Sequence, residues 1–337
     1  MHQKLNLLLC GLAGEAGAFH RLFIQGVGSV GLSGLHGPTD EKEAQEAIIY
    51  AIDSGVNFID TAPFYNNRRA EELLGDIVSQ FDRETICLAT KVGRYMDPAS
   101  STQSFDYSAE TTKESVLKSL QCMKLSYIDL VQIHDVEHAP SLQTLINETI
   151  PCLVDLKMSG LIKSIGVTGY STRHVRKLVE ACMEHIDVVM SYCRHNVYDT
   201  TLARDLPFYK NNNIGVINAS PLGIGLFTNG ESIASWHPAT DEIKEACKEA
   251  ANYCDSQGVD IARLALRHSA ETEDISMTLW SSRKLQHMRS NISCSILPLT
   301  KLEKSTMQYI KTEILSRVQD KHWEEQLNKE NPFWPIE

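Results

Sequence analysis

Four side chains with proton-handling chemistry fall at the ends of short apolar runs. Asp60 closes the run 56–60, Lys91 closes 86–91 and His134 closes 128–134, while Tyr65 lies just beyond Asp60. Such a set suits proton transfer to a reacting oxygen. A tyrosine is a poor acid or base at neutral pH, its ordinary pKa being about 10. A nearby ammonium favours the phenolate and lowers that value. Lys91 could supply the ammonium, Asp60 could hold it charged and oriented, and His134 could hydrogen-bond the substrate oxygen. Hydride reaching a carbon while Tyr65 donates a proton to its oxygen is carbonyl reduction, and the reverse is alcohol oxidation. Each residue also has a plainer reading. Asp60, followed by Thr61 and Pro63, could cap a turn. Lys91 could be a solvated strand end, and His134 a core histidine satisfied by a carbonyl. Joint placement favours the chemical reading.

The elements that must position them form a repeating series. Short apolar runs at 21–25, 56–60, 86–91, 128–134, 163–168, 187–191, 214–220 and 275–280 read as strands buried on both faces. Helical patterns fill the gaps. Asp40 can cap a helix with apolar positions at Ala44, Ala47, Ile48 and Ala51, stopped by Gly55. Ser108 caps another, with a stripe of Val116, Leu117, Leu120 and Met123. Further helices are expected over 151–159, 172–183, 242–255, 260–269 and 302–318. Alternating strands and helices predict a parallel sheet. Eight such units, with no change of composition between halves, predict an α/β fold of the (β/α)8 TIM-barrel type in a single domain. That domain is expected over 21–318, after a poorly defined extension (1–20) and before a C-terminal tail (319–337). Barrel sites form at the C-terminal ends of the strands. Asp60, Lys91 and His134 therefore face one space.

Composition narrows the function. Of 337 residues, 42% are hydrophobic and 22% charged, ordinary for a globular chain that can bury a large core. The formal charge of -11 argues against nucleic acid or an anionic membrane as main partner. No apolar run approaches transmembrane length. The nine cysteines are odd in number, irregularly spaced and form no C-x-x-C. They read as reduced thiols of a cytoplasmic protein, with no disulfide framework and no metal site. Leu5 to Leu12, with Ala16-Gly17-Ala18 after it, imitates a secretory signal, but Asn6 and Glu15 count against that reading.

The stretch Ile59-Asp-Thr-Ala-Pro-Phe-Tyr65, with Glu71-Glu-Leu-Leu-Gly75, Thr90-Lys91 and Gln132-Ile-His134, resembles the aldo-keto reductase superfamily, and within it the L-galactose dehydrogenase-like branch. Ser164 to Gly169, Ala219 to Gly223 and Trp236 to Thr240 point the same way. The resemblance runs from about 22 to 318 and implies a TIM barrel with Asp60, Tyr65, Lys91 and His134 as catalytic tetrad. It implies NAD or NADP as cofactor. Thr168 and Gly169 would hold the nicotinamide amide. The loop Ser220, Pro221, Leu222, Gly223 and Gly225 would cover the pyrophosphate with backbone N–H groups. Ser281, Ser282, Arg283, Lys284, His287 and Asn291 would meet the adenosine and any 2′-phosphate, with Arg283 and Lys284 suited to pair a phosphate. Arg283 and Lys284 read equally well as a solvated helix start. Tyr192 occupies a cofactor position often held by glutamine, Ser281 one often held by glycine, and Ala219 one often held by an aromatic. The N-terminal hairpin usual in the family is not evident in residues 1–20.

The resemblance implies an NAD(P)-dependent oxidoreductase, oxidising an aldose such as L-galactose at C1 to a lactone or reducing a small carbonyl. It implies a small-molecule sugar or carbonyl partner and no obligatory protein partner. An alternative is a catalytically weak barrel used as a binding or regulatory subunit, like those of potassium channels. Two other motifs are set aside. Gly26-Val-Gly-Ser-Val-Gly31 satisfies the dinucleotide pattern G-x-G-x-x-G, but Gly34, Gly37 and Pro38 forbid the helix that must follow, so a flexible loop after strand one is expected. His134-Asp-Val-Glu-His138 satisfies H-x-x-E-H, the basis for a metal-dependent hydrolase. It begins on a strand end and runs toward Pro140, not along a helix.

Overall fold

Eight short parallel strands close into a barrel in a computed structural model of the chain, which describes residues 25–35, 37–97, 102–228 and 233–336. In order they are β1 (Gln25–Gly28), β2 (Phe58–Asp60) and β3 (Cys87–Val92), then a hairpin of β4 (Arg94–Met96) and β5 (Gln103–Phe105), then β6 (Ile128–Ile133), β7 (Ile162–Gly169), β8 (Val188–Tyr192), β9 (Gly215–Ala219) and β10 (Met277–Trp280). The hairpin stands outside the ring as its own antiparallel pair. Each barrel strand pairs with the next in sequence, and β1 joins both β2 and β10 to close the ring. The fold is the expected single-domain (β/α)8 barrel.

Among the described residues the first strand meets its expected run only at Gln25. The sequence suggested 21–25, but β1 starts at Gln25 and takes in the Gly26-Val-Gly28 triplet, continuing into a tight turn over Ser29–Leu32. The G-x-G-x-x-G stretch is therefore strand and turn, not a flexible loop. The reason lies inside the barrel. A Cβ on Gly26 would sit 2.7 Å from Phe58 Cδ1 and 2.9 Å from Met277 Sδ, so large side chains from both neighbouring strands occupy the space. Residues 1–20, 21–24 and the signal-like stretch lie outside the described residues.

The principal helices are α1 (Glu41–Asp53), α2 (Arg69–Val78), α3 (Ala109–Met123), α4 (Ile150–Met158), α5 (Thr172–Ala181), α6 (Leu206–Asn211), α7 (Asp241–Ser256), α8 (Ile261–Ala270), α9 (Leu285–Ile296), α10 (Lys301–Tyr309) and α11 (Glu324–Glu330). Asp40 caps α1 by accepting from the backbone of Lys42 and Glu43, and Ser108 caps α3 by accepting from Thr111 N. Helices α2, α6 and α11 were not read from the sequence, and α9 was read only as a possible helix start at Arg283 and Lys284. The expected C-terminal helix runs without interruption over 301–317, α10 widening to a π-turn over Ile310–Ile314 and tightening over Leu315–Arg317.

Three apolar clusters hold the described structure. One fills the lumen below the mouth with Phe58, Ala89, Leu130, Met190, Ile217 and Met277; a second packs strands against helices; a third, with Ile243, Cys247, Leu264 and Ile310, packs α7 and α8 against the segment after α10. The segment after α10 is docked. Trp334 donates from Nε1 to the Val136 carbonyl at 2.9 Å, and Trp323 N donates to the Tyr170 hydroxyl at 3.0 Å. Of the cysteines, Cys87, Cys182, Cys193, Cys247 and Cys254 are free and buried. Among the described residues no helix is long and apolar enough to cross a membrane.

Candidate active site

Side chains alternate across a strand, so residues two apart share a face. Phe58, Ala89, Leu130 and Met190 fill the lumen. Two residues further along each strand come Asp60, Lys91, Gln132 and Tyr192. Gly166 fixes the same face of β7, because a Cβ there would meet Gln132 Cγ at 2.9 Å. Thr168, two residues on, therefore faces the mouth. Simple alternation thus gathers most of the expected set into one layer above the apolar plug.

Lys91 is the centre of this layer. Its side chain is buried and ion-paired with the equally buried Asp60. Its ammonium also donates to the Thr61 carbonyl at 2.9 Å and to the Tyr65 hydroxyl at 3.5 Å. Gln132 Nε2 donates to the other oxygen of Asp60 at 2.8 Å, so both carboxylate oxygens are engaged. Burial works against the Lys91 ammonium, but the adjacent Asp60 carboxylate outweighs it and holds the pKa above the ordinary lysine value. Burial raises the Asp60 carboxyl above its ordinary value, with Lys91 and Gln132 opposing it, so the two shifts pull the pair in opposite senses; the donors on both Asp60 oxygens favour the carboxylate–ammonium form.

Tyr65 departs from the expectation that the ammonium would lower its pKa. Burial of the phenol raises the pKa, Lys91 opposes this only in part, and the value stays above that of free tyrosine. The physical reason is that a phenolate here would lose its hydration, while the ammonium that favours it is already neutralised by Asp60. In the protein alone Tyr65 is a protonated acid.

His134 follows β6, its backbone N–H donating to the Val92 carbonyl at 2.8 Å. Burial drives its pKa down to about 3, so the imidazole is neutral. Its ring lies edge-on to Tyr65, centroids 6.4 Å apart, and its Nδ1 has no partner among the described residues. Beside it stands Asp135, held in the left-handed region at φ 52°. Arg94 of β4 pairs with Asp135 at 2.6 Å and lies 4.0 Å above the Phe64 ring. Tyr107 locks this turn by donating to the His134 and Asp135 carbonyls.

The expected cofactor residues divide into groups. Thr168, Tyr192 and the loop after β9 border the mouth. In that loop Ser220, Gly223, Ile224 and Gly225 all have positive φ. Three of these amides are engaged within the protein, Ser220 N donating to the Leu279 carbonyl at 2.9 Å, Gly223 N to the Ser220 carbonyl at 2.9 Å and Gly225 N to the Leu222 carbonyl at 3.1 Å. A Cβ on Gly225 would meet nothing within 4 Å, so the loop opens onto free space. The Gly223 carbonyl is fastened by His237 Nε2 at 2.9 Å. Gly169 is turned outward, where a Cβ would collide with Glu137 Oε2, so it can serve the lumen only through its backbone.

Ser281, Ser282, Arg283 and Lys284 lie between β10 and α9, packed close to the turn after β1. Gly31 N donates to Ser281 Oγ at 3.3 Å. Ser282 Oγ accepts from Lys284 N at 3.2 Å. His287 is exposed on α9, whereas Asn291, one turn on, is buried. At the start of α9, Leu285 N donates to Glu43 Oε1 at 3.3 Å. His134 and His138 of the H-x-x-E-H stretch are separated by a tight turn over Val136–His138, and Glu137 instead accepts from Tyr170 N and Ser171 N. No group of three metal-type ligands gathers among the described residues.

The sequence reading missed Gln132, Arg94 and Asp135. Gln132 was legible, since it precedes His134 by two on the same strand face. Arg94 was not, because a hairpin projecting from the barrel has no period shared with it.

Comparison with known proteins identifies the family. The model of the Aldo/keto reductase family matches residues 26–312. The chain is 35% identical over 297 residues to L-galactose dehydrogenase of Arabidopsis thaliana, covering 87% of this chain and 88% of that protein. It is 33% identical to D-arabinose 1-dehydrogenase of Saccharomyces cerevisiae, covering 68% of this chain and 70% of the other. The fold resembles that of an aldo-keto reductase from Bacillus halodurans in its holo form, with a TM-score of 0.71, 22% identity and coverage of 85% and 91%.

Proposed function

The chain belongs to the aldo/keto reductase family and is an oxidoreductase, and on that footing we propose that it is an NAD- or NADP-dependent dehydrogenase that oxidises an aldose such as L-galactose at C1. The observation that carries the reading is the buried Lys91–Asp60 pair with the Tyr65 hydroxyl in reach. Similarity to two sugar dehydrogenases supports the substrate class.

The residues at the mouth suit a dinucleotide. The loop 220–225 would cover the pyrophosphate, Thr168 and Tyr192 would border the nicotinamide, and 281–284 with Asn291 would meet the adenosine. When bound, the nicotinamide supplies the acceptor for the hydride lost from C1. Tyr65 takes the hydroxyl proton as the carbon–oxygen double bond of the lactone forms, and returns it in carbonyl reduction. Lys91 stabilises the phenolate needed for oxidation, and Asp60 with Gln132 fixes Lys91. His134, neutral at working pH, hydrogen-bonds the reacting oxygen.

The sign of the pH dependence follows. Oxidation needs the phenolate, so its rate rises with pH toward the elevated Tyr65 pKa. Reduction needs the phenol and holds up into alkaline solution. The test is absorbance of the reduced nicotinamide with NAD or NADP and a panel of L-galactose, D-arabinose and simple aldehydes. Wild type should turn over, and Tyr65→Phe should lose about 10²–10⁴-fold in kcat. Equal turnover by the two proteins would overturn the assignment of Tyr65.

A further inference from the structure

Directly behind Tyr65 the chain does something unusual. Asn66, Asn67 and Arg68 are three consecutive residues other than glycine with φ of 51°, 47° and 72°. Asparagine tolerates the left-handed region singly, but arginine avoids it because Cβ crowds the following carbonyl, and three such residues in a row persist only when their surroundings hold them. The holding group is visible. Arg68 drives its guanidinium inward between α2 and α3. It donates to Glu71 Oε2, to Ser119 Oγ and to Ser115 Oγ, each at 2.9 Å. Its backbone N–H donates to the Pro63 carbonyl at 2.9 Å, closing the loop that contains Tyr65. At the loop's other edge Asn66 Nδ2 donates to the Ser33 carbonyl at 2.9 Å.

Glu71 carries the link onward. It is wholly buried, and its second oxygen accepts from Thr90 Oγ1 at 2.7 Å. Thr90 is the strand neighbour of Lys91. A continuous path of charge-assisted contacts therefore runs from the turn behind Tyr65 through Arg68 and Glu71 to the residue beside Lys91.

We propose that Arg68, acting with Glu71, is a positioning residue that sets the distance between the Tyr65 hydroxyl and the Lys91 ammonium. This rests on the tetrad reading above. Neither side chain faces the lumen, so neither touches substrate. Without the guanidinium the strained turn relaxes toward ordinary φ, and Tyr65 moves with it. A misplacement of about 1 Å can lower a rate by about 10²-fold.

Removing Arg68 alone strands the buried Glu71 carboxylate and endangers the fold. The informative variant is therefore Arg68→Met with Glu71→Gln, which removes both charges and leaves the new side-chain carbonyl to accept from Thr90. The double variant should unfold within a few degrees of wild type and bind the dinucleotide with unchanged affinity. Its kcat should fall by about 10–10²-fold, and the rise of oxidation with pH should move to higher pH because the phenolate has drawn away from Lys91. Adding Tyr65→Phe to it should cost less than in wild type, since contributions that depend on each other are not additive. Arg68→Lys, which keeps a charge but not the fork, should fall between. A folded double variant, or a folded Arg68→Lys, with wild-type kcat and pH profile would overturn the proposal and leave the tetrad reading intact. If Tyr65→Phe is itself silent in wild type, the tetrad reading fails instead.

Discussion

Replacing Asp60 by asparagine tests whether the Lys91 pair is ionised. The substitution preserves shape and an acceptor for the ammonium. Gln132 can adapt as well, because its Oε1 is buried with no partner among the described residues and can accept from the amide that the substitution introduces. What is lost is the charge. Lys91 is 2% exposed, and removing one member of a buried pair leaves the other desolvated, an effect of about 3–5 kcal/mol. Unfolding entropy of about 2.1 cal/mol/K per residue over 337 residues gives about 0.7 kcal/mol/K, so Tm should fall by about 4–7 °C. The pH dependence carries a sign. In wild type the Lys91 pKa is raised on folding, so its stabilisation is fully present below the unfolded lysine value and fades as pH climbs through the folded one. In Asp60→Asn, burial is opposed only by Tyr65 and lowers the Lys91 pKa relative to wild type. Its penalty is therefore largest at acid and neutral pH and shrinks as the amine deprotonates. Urea unfolding of both proteins between pH 6 and 10 should show curves that converge on the alkaline side. A stability difference under 1 kcal/mol at pH 7, or one independent of pH, would refute an ionised pair.

Two further outcomes follow from the barrel mouth and floor. Because burial holds the His134 pKa near about 3, profiles of kcat against pH should show no inflection from this imidazole between pH 5 and 8; a limb in that range that disappears in His134→Gln would contradict a neutral histidine. Gly26→Ala places a Cβ 2.7 Å from Phe58 Cδ1 and should destabilise by about 1–3 kcal/mol, read as a lower urea midpoint with KM unchanged.

The parts of this protein that were legible in the sequence are those governed by period and position. Strand ends gave Asp60, Lys91 and His134, and two-residue alternation would have given Gln132, because a barrel lumen sorts residues by parity alone. Caps were legible for a similar reason: Asp40 and Ser108 act on backbone groups two or three residues away. The strand character of Gly26 and Gly28 was hidden because glycine carries no strand propensity. What makes them strand is the bulk of Phe58 and Met277, residues distant in sequence.

The hardest feature to read was the electrostatic state of the site, and Tyr65 shows why. Sequence spacing correctly suggested that an ammonium would approach the phenol, and from that alone a lowered pKa follows. The outcome depends on two quantities that no motif contains: how completely the phenol is buried, and how much of the ammonium's field is already spent on Asp60. Both push the same way. A lysine that is strongly paired is well placed but electrostatically muted toward a third group. The buried Asp60–Lys91 pair therefore does less to make Tyr65 acidic than to keep one donor fixed beside it, so that the proton can move in either direction without the site reorganising. The same logic gives the left-handed turn behind Tyr65 its place: a donor fixed on one side is useful only if the phenol on the other is fixed as well.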